Sequence, residues 1–131
     1  MKPIVEFHEP DSQVNDPRKV FDCIKAINVD YTQEHFLLLT LDVRCCLIAS
    51  HVLFVGGRST VALDPVTVFR RAILDNASVV VLAHNHPSGC LQPSDEDRAV
   101  HAQLTKCGKL LQIEVVDTIV FNQHEYHSFQ N

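Results

Sequence analysis

The segment His84-Asn85-His86-Pro87-Ser88-Gly89-Cys90-Leu91-Gln92-Pro93-Ser94-Asp95-Glu96-Asp97 concentrates imidazole, hydroxyl and carboxylate groups in one stretch. Two histidines at i and i+2 where a strand is ending point to the same side, because side chains alternate along extended backbone. They can hold one ion together. Pro87, Gly89 and Pro93 turn the chain back, and Ser94 then starts a helix with Asp97 in its first turn. A carboxylate thus returns to the two imidazoles. Two imidazoles and one carboxylate are the three-ligand set of a catalytic zinc site, which leaves the fourth tetrahedral position to water. Zinc lowers the pKa of that water, and a neighbouring carboxylate that takes its proton makes it a nucleophile towards a carbonyl. Glu34, at the start of a strand, is the candidate base.

Plainer readings stand beside these. Ser94-x-x-Asp97 is also close to a capping box, in which the serine caps the helix and the acidic residue reaches back to the first amide. His84 and His86 taken separately are ordinary hydrogen-bonding loop residues, and Glu34 alone reads as a solvated carboxylate at a strand edge. A capped helix gives no reason for two histidines on one side of the preceding strand, whereas an ion accounts for all three side chains. Asp95 and Glu96 are read as complements to the helix dipole. His101, one turn beyond Asp97, is expected to face solvent, the alternative being a hydrogen bond to Asp97. His8, His124 and His127 are expected to be exposed; His35 and His51 sit in strands facing either water or the core.

The elements that must position these groups follow from pattern. Residues 1–15 read as an arm, and residues 16–131 as one domain. Asp16-Pro17 opens a helix over about 17–27, with Val20, Phe21, Ile24 and Ile27 at helical spacing. Strands follow over 34–42 and 45–55, linked as a hairpin by Asp42-Val43-Arg44, and the run Cys45 to Phe54 is read as buried within its own sheet. Val68, Phe69, Ala72 and Ile73 mark a second helix over about 65–76. Ser78 to Ala83 is a continuous apolar run, expected to be a strand buried on both faces. A third helix starts at Ser94, carries Val100, Leu104, Cys107 and Leu111 on one stripe, and is expected to end near Gly108. Strands over about 113–121 and 126–129 close the chain. Strands alternating with helices imply an α/β architecture with a mixed sheet.

Composition narrows the function. The chain has 131 residues, 46% of them hydrophobic and 21% charged, which suits one folded domain. Its five cysteines are odd in number and form no C-x-x-C pair, so they read as reduced thiols in a cytoplasmic protein. No signal-like or membrane-spanning run is evident, and no membrane partner is expected. Eleven Lys and Arg against 16 Asp and Glu give a net charge of −5, which disfavours direct nucleic-acid binding. Nucleobase deamination requires H-x-E with P-C-x-x-C, and neither pattern occurs.

The spacing His84-x-His86, seven residues, Ser94, two residues, Asp97 resembles the H-x-H-x7-S-x2-D signature of the JAMM (JAB/MPN) metalloproteases. The fuller string His84-Asn85-His86-Pro87-Ser88-Gly89, with Glu34-x-Phe36, Phe69-Arg70-x-Ala72 and Tyr126-x-Ser128-Phe129, resembles the bacterial RadC branch. The resemblance implies a cytidine-deaminase-like mixed β-sheet flanked by helices. It implies zinc held by His84, His86 and Asp97, Glu34 as general acid/base, and Ser94 polarising a substrate carbonyl or its oxyanion. The implied activity is hydrolysis of an amide or isopeptide bond in a peptide or protein substrate. The alternative is a metal-stabilised interaction module linked to DNA repair or replication. Three departures from the pattern are visible. No glycine precedes Gly56, so a helix-hairpin-helix region is not expected; Cys90, read as an inert loop thiol, replaces a short polar residue; and Asp117-Thr118 stands where an Asp-His pair is common.

Overall fold

The computed structural model describes residues 13–56 and 63–130. Most of the expected arm, His8 included, and most of the loop after Gly56 lie outside the described residues. The elements run α1 (Pro17–Lys25), β1 (Glu34–Leu41), β2 (Leu47–Gly56), α2 (Pro65–Leu74), β3 (Val79–Asn85), α3 (Asp95–Leu111), β4 (Glu114–Phe121) and β5 (Tyr126–Ser128).

Each helix begins where its sequence supplies a cap. Asp16 accepts from the Lys19 N–H at 2.9 Å and Asp64 from the Val66 N–H at 2.9 Å, each followed by proline at the first helical position. The strands form one mixed sheet in the order β2-β1-β3-β4-β5, antiparallel except for the β3–β4 pair, which α3 connects as a crossover.

Period-two alternation then sorts the two sides of the sheet. Leu37, Leu39 and Leu41 of β1 with Val79, Val81 and Ala83 of β3 pack against Val20, Phe21 and Ile24 of α1. Phe36, Leu38, Val80 and Leu82 face the opposite way, against Val68, Phe69 and Ala72 of α2 and Leu104 of α3. β3 is buried along its whole length, as its apolar run requires. It also runs two residues further than expected, so His84 and Asn85 belong to the strand and are themselves buried. In β4 the register slips beside Val80 and Val81, so that Val115 and Thr118 both end on the α3 side.

Other expectations need correction. α3 does not stop near Gly108 but continues to Leu111, and its left-handed cap is Gln112 at φ 60°. Gly108 is needed inside the helix because a Cβ there would collide with the Ile113 carbonyl oxygen. β2 is an edge strand with Ile48, Val52 and Val55 exposed, so the run to Phe54 is not wholly buried. Ile73 and Leu111, members of the apolar stripes of α2 and α3, are exposed and border an apolar groove between the two helices. At the near end of the described chain, Val14 packs into the α1 side of the core and its N–H bonds the Cys45 carbonyl at 2.7 Å.

Candidate metal centre

β3 ends against the start of α3, and the side chains singled out in the sequence meet there. The His84 Nε2 lies 3.0 Å from Asp97 Oδ1, and the His86 Nε2 lies 3.0 Å from Asp97 Oδ2. Among the described residues, these three form a group whose ligand atoms all lie within 4.8 Å of one another. Ligands about 2 Å from a tetrahedral zinc stand roughly 3.3 Å apart, so the cluster has the span that such an ion needs.

The local folding explains the convergence. Ser94 Oγ accepts from the Asp97 N–H at 3.0 Å, and Asp97 Oδ2 accepts from the Ser94 N–H at 2.8 Å. The capping box and the carboxylate's return to the imidazoles are therefore one geometry rather than rival readings. His84 is held flat against the Phe36 ring, with centroids 4.7 Å apart. The Nδ1–H of His86 donates to the Cys90 carbonyl at 2.9 Å, which fixes the ring and turns Nε2 inward.

The state of His84 tests whether an ion fits. It is 1% exposed, yet among the described residues neither ring nitrogen has a hydrogen-bond partner; Nε2 is close to Asp97 without being aligned to donate to it. Such groups are rare in folded proteins because desolvation is left uncompensated. A cation at Nε2 would relieve that cost at this nitrogen, with His86 Nε2 and the Asp97 carboxylate within reach as further ligands. Burial works against ionisation of Asp97, but the two imidazoles and the Ser94 N–H outweigh it and hold the carboxyl well below its usual range. The hydrogen bond to Asp97 raises the His86 pKa despite partial burial. The donor set is thus one anion between two imidazoles, suited to a borderline metal.

Glu34 begins β1, two residues before Phe36, which lies opposite His84 in the β1–β3 register. Burial pushes its carboxyl pKa up; the charges of His84 and His86 pull it down, while Asp97 and Glu96 push it up again. Glu34 is thus half-buried and electrostatically coupled to the cluster, unlike a freely solvated strand-edge acid. Cys90 is exposed and outside the ligand group; its N–H bonds Ser88 Oγ at 3.2 Å.

Some histidines differ from expectation. His101 neither faces solvent nor reaches Asp97: its Nδ1 lies 2.7 Å from Thr118 Oγ1, with the ring against Phe129. The slip in β4 brings Thr118 beneath α3, and no local spacing could reveal that. His127 is half-buried near Phe129 rather than exposed, His124 is exposed, and His35 is buried. Sequence reasoning also gave no role to Asn85. It is 1% exposed, accepts from the His35 N–H at 2.8 Å through Oδ1 and donates to the Gln33 carbonyl at 3.0 Å through Nδ2. The only signal for it was an amide just past an apolar run, between the two histidines.

A family model of the RadC-like JAB domain matches residues 14–131. The chain belongs to that family. The RadC-like JAB domain is also 34% identical over 119 residues to a UPF0758 protein of Chlorobaculum tepidum, covering 91% of this chain and 54% of that one. A UPF0758 protein of Thermosynechococcus vestitus is 40% identical over 97 residues, 74% of this chain and 39% of its own. One of Staphylococcus haemolyticus is 33% identical over 116 residues, 88% and 51% respectively. The RadC-like JAB domain therefore spans about half the length, or less, of these curated relatives. No helix among the described residues is long and apolar enough to cross a membrane.

Proposed function

We propose that this chain is a zinc-dependent hydrolase of amide bonds in peptide or protein substrates, peptidase or isopeptidase in type. The observation that carries this reading is the buried, unpartnered His84 imidazole in one cluster with His86 and Asp97, beside a raised Glu34 carboxyl. His84, His86 and Asp97 would hold the ion; bound there, zinc supplies Lewis acidity and a water of lowered pKa. Glu34 takes the water's proton as its oxygen bonds the amide carbon, and returns a proton to the leaving nitrogen as the C–N bond breaks. Ser94 already accepts the Asp97 N–H through Oγ, so its own O–H is available to donate to the negative charge developing on the carbonyl oxygen. Phe36 and the buried end of β3 exclude water behind His84.

Metal content and hydrolysis measured on the same preparations test this. The parent is expected to carry near-stoichiometric zinc, Asp97→Asn to lose it while still folded by circular dichroism, and Glu34→Gln to keep it with hydrolysis reduced at least about 10²-fold. Full hydrolytic activity in metal-loaded Glu34→Gln removes Glu34 as the base. A zinc-bound parent inactive on both peptide and isopeptide substrates points instead to the metal-stabilised interaction module.

A further inference from the structure

The backbone pairing of β1 with β3 reaches only as far as Phe36 opposite His84. Beyond that rung, the side chain of Asn85 takes over: Oδ1 accepts the His35 N–H at 2.8 Å, and Nδ2 donates to the Gln33 carbonyl at 3.0 Å. These two groups belong to the peptide units immediately before and after Glu34. The amide can be oriented in one way only, since the N–H needs an acceptor and the carbonyl a donor. Asn85 is 1% exposed and pairs through its backbone with Phe121 of β4, so it is itself immobile. It also lies between His84 and His86 in sequence.

We infer that Asn85 is the positioning residue of Glu34: its amide clamps both peptide planes flanking Glu34 and thereby sets where that carboxyl stands relative to His84 and His86. The two bonds bracket a single residue, one on each peptide plane beside Glu34. The inference rests on the reading of Glu34 as the base. A displacement of the base by about 1 Å is enough to cost on the order of 10²-fold in rate.

The test compares Asn85→Ala, Asn85→Asp and Glu34→Gln, alone and combined, in the full zinc-loaded chain. Asn85→Asp keeps the acceptor for His35 and loses the donor to Gln33. Asn85→Ala is expected to keep zinc within about threefold of the parent affinity, because the Asn85 amide bonds Gln33 and His35 and none of the three ligands, and to lower kcat about 10²-fold with KM little changed. Asn85→Asp falls between, and carries the test should Asn85→Ala not fold. Added to Glu34→Gln, either substitution is expected to cost almost nothing further, since both act through one carboxyl. Additive losses, or loss of zinc in step with rate, overturn the inference. Amide exchange at His35 and the carbon NMR line of the Glu34 carboxyl supply a readout without turnover. Faster exchange and a shifted line in the Asn85 variants support the clamp even if Glu34→Gln proves active and the base reading fails; no change in either overturns it.

Discussion

Two histidines in this fold sit in opposite circumstances. His51 of β2 has its Nε2 2.6 Å from Asp75 Oδ2, an oxygen that also accepts from the buried Thr40 hydroxyl at 2.8 Å, whereas His84, though close to Asp97, has no aligned hydrogen-bond partner among the described residues. The first is a satisfied structural network; the second leaves two buried ring nitrogens without hydrogen bonds. Burial works against the Asp75 carboxylate, but the bonds from His51 and Thr40 outweigh it and lower its pKa below the ordinary 3.8. A lowered folded-state pKa contributes stability that is complete above the unfolded value and fades as pH falls through the folded one. Asp75→Asn is therefore expected to cost about 1 kcal/mol at pH 7, with the difference from the parent shrinking as pH drops below about 4. Urea unfolding at pH 7 and pH 3.5 measures both. At this scale the convergence of His84, His86 and Asp97 was legible because they lie on one strand–loop–helix stretch governed by two local rules, strand alternation and helix capping. The Asn85 and His101 contacts were not legible, since each joins segments brought together only by the sheet: Asn85 to Gln33 and His35, His101 to Thr118.

Among the elements, α3 carries the clearest case of tertiary packing overriding propensity. Gly108 lies within the helix, where alanine is intrinsically better by about 1 kcal/mol. A methyl there would collide with the backbone oxygen of Ile113, and that residue is fixed by its N–H bond back to the Gly108 carbonyl at 2.9 Å. Gly108→Ala is expected to destabilise the chain by about 1–3 kcal/mol, opposite in sign to the propensity scale, as read from the urea midpoint. The same position explains the misplaced helix end: a glycine late in an apolar stripe reads as a terminator, and here it is a close-packing site. Caps, proline positions and the buried β3 run were readable locally, and those elements begin where expected. Edge or centre was not readable for β2, because an apolar run carries no mark of which neighbours it will have. Its exposed Ile48, Val52 and Val55 follow from sheet order alone.

For the molecule as a whole, the candidate centre joins the middle strand of the sheet to the helix that crosses over it. An ion bound there is bound by the folded chain and not by the unfolded one, so it shifts the unfolding equilibrium. At free zinc about 100-fold above its dissociation constant the gain is roughly 2.7 kcal/mol, or about 10 °C in the unfolding midpoint for a chain of this size. Thermal melts with zinc and with a chelator are expected to differ by that amount, and Asp97→Asn to show no difference. The shared role of Asp97 also bears on the order of events in folding. Its Oδ2 accepts the Ser94 N–H, so the carboxylate reaches its place only once the first turn of α3 is wound. If an ion binds as proposed, its capture would wait on helix nucleation, and the rate of metal uptake by a refolding chain would be a clock for the birth of that helix.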